Sequence, residues 1–194
     1  MATVNLATLS LGDPFTTSNG SKIASIRSGN GDLVLLPGEF LRVRFEPTTA
    51  FGESDSNRLN LVLEAPRPVL EAFADLDEWL ISYLTEHAAQ FFKKPMTADQ
   101  VRDGYSSCIR ISDKGYMPTL KTKVDLGDSK HSLCVWDADG NQLDKPESWR
   151  NCLITPRLRI THLWFMGRNF GPVVRLTDAL LRPDAIPAER TSPF

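Results

Sequence analysis

A change of hydrophobic period between residues 68 and 92 constrains this chain more than any other feature. Val69, Phe73, Leu76, Leu80, Tyr83, His87 and Phe91 recur at spacings of three and four, which places them on one stripe of an α-helix. Pro66 and Pro68 stand near its start and Pro95 beyond its end, where proline is tolerated or stops a helix. One amphipathic helix is expected over 67–92. A shorter one starts at Thr97, whose hydroxyl can cap the amides of Asp99 or Gln100. On either side the pattern is strand-like. Runs at 22–27, 33–36, 40–45 and 58–64 precede the helix, with Gly29-Asn30-Gly31 as a tight turn. Runs at 107–111, 119–126, 133–136, 153–165 and 170–177 follow it, each bounded by turn residues. Asp137–Asn141 reads as a hairpin tip. Strands, one long helix and more strands give a β-rich α+β chain, and closure into a small barrel would remove its exposed edges.

The chain divides into an irregular arm (1–20), one domain (21–182) with the helix inserted, and a mobile tail (183–194). No apolar run approaches the roughly 18–20 residues of a membrane span, and the N-terminus lacks the basic start and apolar stretch of a secretory signal. Cys108, Cys134 and Cys152 are odd in number and widely spaced, which fits a reducing, intracellular compartment better than a disulfide scaffold.

A net charge of −2 argues at first against a polyanionic partner. The total hides a split. Residues 1–104 hold nine Lys/Arg against fourteen Asp/Glu, and residues 105–194 hold thirteen against ten. Within 153–182 five arginines (157, 159, 168, 175 and 182) accompany the single acid Asp178. Local field, more than total charge, governs attraction of a polyanion.

Strand alternation puts cations on faces. Lys121, Lys123 and Asp125 oppose Leu120, Thr122, Val124 and Leu126; Arg42 and Arg44 oppose Leu41, Val43 and Phe45. Unbroken alternation along 153–165 puts Arg157, Arg159, Thr161, Leu163 and Phe165 on one side, and Ile154, Leu158 and Ile160 on the other. Three strands with cation doublets and no balancing acids form a phosphate-tracking groove. Aromatics interleave with them: Trp164, Phe165 and Phe170 surround Arg168, Tyr116 precedes the lysine strand, and Trp136 sits beside the hairpin tip. Bases of single strands stack on such rings while cations hold the backbone. For any one of these residues the plainer alternative is a solvated sheet face or a core aromatic.

These segments, in order, resemble the OB-fold single-stranded DNA-binding proteins of T7-like phages and, more closely, of large eukaryotic DNA viruses. The likeness spans most of 40–182. It is carried by FLRVRFEPTTAFG and NRLNLVLEA, the helix EAFADLDEWLISYLTEHAAQFFKK, the strand YMPTLKTKV, the hairpin VWDADGNQLDKP, and LRITHLWFMGRNFGPVVRLTDALLRP. The resemblance implies an OB-fold-like five-stranded barrel with additional N-terminal strands and one long helix. It also implies sequence-tolerant, non-catalytic binding of single-stranded DNA in replication, recombination or repair. Its groove residues correspond to Lys121, Lys123, Arg157, Arg159, Trp164 and Arg168. Single-stranded RNA, self-association as a dimer and contact with replication proteins are further candidate partners. Phage members end in a strongly acidic tail with a terminal aromatic. This chain keeps Phe194 as a weak partner-binding tip, but only Glu189 as an acid after Asp184.

Two other classes compete. A β-rich coat or scaffold subunit would use the same cations at a subunit interface. A metal-dependent phosphoesterase would need Asp75, Asp77 and Glu78, which the helix pattern reads as a solvated acidic face. No phosphate loop, HExxH or Gly-x-Ser-x-Gly elbow is present, and no Cys-x-x-Cys pair supports zinc. Cys134 with His162 is a formal Cys/His pair, though small buried cysteines are commoner. The acidic run 137–144 lacks the glycine and glutamate positions of a calcium loop. The expectation is therefore no cofactor, no metal and no catalytic residue.

Overall fold

The β-rich composition of the flanks is realised as a long ladder of strands. The structure, a computed structural model, describes residues 5–49, 58–127 and 131–182. The strands ahead of the helices are β1 (Leu9–Leu11), β2 (Phe15–Thr16), β3 (Lys22–Ser28), β4 (Gly31–Leu35), β5 (Leu41–Arg42), β6 (Thr48–Thr49) and β7 (Arg58–Glu64). Helices α1 (Arg67–Glu86), α2 (Ala88–Phe92) and α3 (Ala98–Gly104) follow. Then come β8 (Ile109–Arg110), β9 (Thr119–Asp125), β10 (Cys134–Trp136), β11 (Gln142–Leu143), β12 (Leu153–Met166) and β13 (Asn169–Leu181).

Five of these strands close on themselves. β5 pairs with β12, β12 with β13, β13 with β9, and β9 with β7. A bridge from Val43 to Leu63 returns the ring from β7 to the end of β5. Closure satisfies backbone groups that an open sheet would leave at its edges. The inner face supplies the core: Leu41, Leu61, Leu63, Leu120, Ile154, Leu158 and Val174 are all buried. Each such aliphatic side chain contributes on the order of 1.5–3 kcal/mol by leaving water. β3 and β4 form a hairpin laid on β12, with Gly29 at φ 57° in its turn. β1 and β2 pair with β3, so part of the expected irregular arm is tied to the sheet. The expected 183–194 tail lies outside the described residues.

The helix stripe packs on the core through Val69, Phe73, Leu76, Leu80 and Leu84. The expected single helix over 67–92 is two. His87 leaves helical geometry at φ −106° and ψ 23°, and the chain restarts as α2, which buries Ala88 and Phe91. A straight helix would have carried that stripe away from the sheet; the break keeps Phe91 against Phe165, their ring centroids 6.2 Å apart. α2 ends at Lys93 in the left-handed region, φ 59°. Thr97 caps α3 as expected, accepting from the Gln100 amide at 3.3 Å while Gln100 returns the bond to Thr97. Gly104 ends α3 against the β12–β13 hairpin, where a Cβ would lie 2.5 Å from the Arg168 carbonyl oxygen.

The acids on α1 are not one solvated face. Asp77 accepts from the Tyr105 hydroxyl at 2.6 Å and the Ser107 hydroxyl at 2.5 Å, and Glu78 takes a bidentate pair from Arg102. Burial holds the Asp77 carboxyl above its usual range and pushes the nearby Cys108 thiol up to about 12. These groups fasten α1 to the segment entering β8. Among the described residues no helix is long and apolar enough to cross a membrane.

Candidate functional site

The cations of the sheet gather because paired residues in adjacent strands point to the same side. Lys123 on β9 is paired with Arg175 on β13, and Arg175 with Arg159 on β12. Lys121 lies two residues from Lys123 on the same face, and Asn60 on β7 is opposite Lys123. The result is a cationic row crossing β9, β13 and β12 on the outer face of the ring. Burial and the neighbouring Lys121 and Arg175 lower the Lys123 pKa. Two polar atoms on this face, Asn60 Oδ1 and Arg159 Nε, are buried without a hydrogen-bond partner. Such orphans are uncommon in folded proteins.

One of two β-bulges in the long hairpin decides which aromatic joins the row. Ile160 pairs with Val174 and His162 with Val173, so Thr161 is an extra residue in β12. Arg157 pairs with Asp178 and Leu158 with Leu176, so Thr177 is an extra residue in β13. Each bulge reverses the alternation beyond it. The face expected from unbroken alternation is therefore corrected: Leu163 is fully buried, and Phe165 turns to the inner side. There it lies 5.8 Å from Phe170 and 6.0 Å from Phe92, centroid to centroid. Trp164, with His162, shares the face of Arg157 and Arg159, and it is half-buried. Burial and the charge of Arg175 lower the His162 pKa.

The expectation of unbalanced cation doublets is also corrected. Arg42 and Arg44 both meet Glu64, at 3.7 and 2.9 Å. Arg157 meets Asp178 at 3.5 Å, and Arg159 meets Asp32. Asp178 also accepts from Trp136 Nε1 at 3.2 Å, and Trp136 is half-buried. Among the described residues, Lys121, Lys123 and Arg175 have no carboxylate partner. The face thus has an unpaired centre and a rim of arginines already held by acids.

The remaining expected residues scatter. Tyr116 is exposed in the loop between β8 and β9. Arg168 is exposed at the tip of the β12–β13 hairpin. Phe170 is 1% exposed and belongs to the core, so it is not available for stacking. Phe194 lies outside the described residues. Sequence reasoning missed Arg175, His162 and Asn60 as members of the face. Arg175 was visible as one of the basic cluster, but its register against Lys123 was not. Cys134 and His162 do not pair: the thiol donates to the Ser132 carbonyl, and the imidazole meets the Thr161 hydroxyl. Asp137 accepts from the amides of Asp139 and Asn141, which is hairpin-tip geometry. Among the described residues no group of His, Cys, Asp or Glu is arranged to hold a metal ion.

No protein-family model matches the chain, and no curated protein matches it significantly. Solved structures do. A single-stranded DNA-binding protein from bacteriophage Enc34 is 14% identical, with a TM-score of 0.51 over 94% of this chain and 95% of that one. The same phage protein in complex with single-stranded DNA is 12% identical over 89% of this chain and 94% of that one, at a TM-score of 0.51. Gp2.5 of bacteriophage T7, also a single-stranded DNA-binding protein, covers 76% of this chain and 90% of that one at 12% identity and a TM-score of 0.43, too low to carry an argument. At these identities the likeness is one of fold, and this chain shares its α+β fold with the Enc34 protein along nearly its whole length.

Proposed function

We propose that this protein binds single-stranded DNA without catalysis and with little base preference, on an OB-type barrel. The observation that carries this reading is the unpaired row of Lys121, Lys123 and Arg175 beside Trp164 on one strand face. Three like charges at adjacent strand positions repel one another, and a bound phosphate chain relieves that repulsion. Trp164 supplies a ring for stacking, which any base can use through its π-face. The fold shared with the Enc34 protein supports the reading. Action in replication, and by extension in recombination or repair at replication sites inside the cell, follows from covering exposed single strands.

Titration with oligo(dT), followed by tryptophan fluorescence, tests the proposal. Quenching is expected, with similar affinity for mixed-base oligonucleotides. Log affinity should fall with log salt by about 0.7 per phosphate contact. Absence of binding at low salt would overturn the reading. Comparing RNA of the same length, and measuring mass in solution with and without DNA, addresses RNA preference and self-association.

A further inference from the structure

The inner face of the β12–β13 hairpin outruns the barrel core. Beyond the last fully enclosed layer it opens into a cleft of about 710 Å³ between the hairpin tip, α2 and the C-terminal half of α3. That volume lies within the roughly 300–1,000 Å³ of small-ligand sites. The half-buried rings of Phe92 and Phe165 meet edge-on in its wall. Lys22, Lys94 and Arg168 surround them. Lys22 lies 5.2 Å from the Phe165 ring centroid and donates to the Phe91 carbonyl at 2.5 Å. Among the described residues none of these three cations has a carboxylate partner. Asp103 is the acid that also borders the cleft.

The cleft borders the hairpin tip through Gly167, Arg168 and Asn169. Trp164 and Phe165 are successive residues on opposite sides of β12, four and three residues from the exposed tip at Arg168. Gly167, at φ 60°, makes that tip a sharp turn. A strand stacked on Trp164 therefore reaches the cleft by passing over Arg168. Resting on the proposed single-stranded DNA binding, we propose that the cleft is a second subsite for the same strand. It takes one nucleotide with its base against Phe165 and Phe92 and its phosphate between Lys94 and Arg168. Apolar rings ringed by unpaired cations fit a flat base carrying a negative charge. The protein then binds DNA on two sides of one hairpin, and the strand bends around its tip.

The test is length-dependent affinity. Lys94→Glu with Arg168→Glu changes two exposed side chains and leaves the core intact. Oligo(dT) of about 5 nucleotides fills the outer face, and one of about 15 also reaches the cleft. The double variant should bind the short oligonucleotide within about threefold of wild type, and lose about tenfold or more on the long one. Phe92→Leu, which keeps the apolar packing, should lose affinity selectively on the long oligonucleotide as well. Photocrosslinking of the long oligonucleotide should label the segment around Phe92 or Phe165, and that of the short one should not. Equal losses at both lengths, or none at either, would overturn the second subsite while leaving outer-face binding in place. Failure of wild type to bind either length would overturn the proposed function and the subsite with it. An acidic peptide that binds the cleft and is not displaced by the long oligonucleotide would assign the cleft to a protein partner instead.

Discussion

The centre and the rim of the outer face carry the same kind of charge in different states. At the centre, among the described residues, Lys121, Lys123 and Arg175 have no carboxylate partner, and Lys123 and Arg175 are partly buried. At the rim, Arg42 and Arg44 share Glu64, Arg157 is held by Asp178, and Arg159 by Asp32. A paired arginine is oriented and ready, but a phosphate must displace its acid before any charge is gained. An unpaired cation releases its counterions outright. Counting basic residues therefore overstates the rim and understates the centre. The acids at the rim also keep the protein's field modest, so the proposed binding asks stacking on Trp164 to share the affinity.

This comparison can be broken most directly at the centre. Replacing Lys121, Lys123 and Arg175 together with alanine should weaken oligo(dT) binding on the order of a hundredfold at low salt. It should also reduce the salt slope by about two. The double change Arg157→Ala with Arg159→Ala should reduce the slope by clearly less, and an equal or larger effect would erase the distinction between centre and rim. Trp164→Ala should cost about 1–3 kcal/mol of binding and remove most of the fluorescence quench. Trp136→Phe should do little to either, because its indole is already bonded to Asp178.

Smaller effects sharpen the picture. Asp32→Asn frees Arg159, so affinity should rise a few-fold and the salt slope should steepen; unchanged titration curves would mean that Arg159 does not touch DNA. His162 gives a pH signature. Its imidazole is held below its ordinary pKa by burial and by Arg175, so it is neutral in the free protein at neutral pH. A phosphate nearby favours the protonated ring, so binding should take up a proton and tighten modestly as pH falls from about 7.5 to about 5.5. His162→Gln should flatten that dependence, and a flat wild-type profile would place the phosphate path away from β12.

Much of this was legible in residue order. The nine strand-like runs all overlap strands, because period-two alternation with β-branched and aliphatic residues has one compact solution. The Gly29 and Asp137 turns and the Thr97 cap depend on local backbone chemistry alone, and each is found where expected. The break at His87 was not legible, because the apolar spacing of three and four continues across it. Phe170 was misjudged for a related reason. An aromatic next to an arginine in sequence says nothing by itself about which side of a strand it occupies, and Phe170 alternates with Pro172, Val174 and Leu176 on the buried face of β13.

The sequence by itself determined the α+β character, nine of the strands and the concentration of cations in the second half of the chain, since these rest on propensity, period and composition. The tertiary structure decided which of those cations act together. A single-residue bulge at Thr161 reverses the pleat of β12 and exchanges Trp164 for Phe165 on the cationic face, and one at Thr177 reverses that of β13 beyond Leu176. Their positions follow from the twist and bend needed to close the ring, which no local run encodes. Pairings such as Arg159 with Asp32 and Arg44 with Glu64 join residues distant in sequence. They separate available charge from balanced charge only after the barrel has brought both partners to one surface.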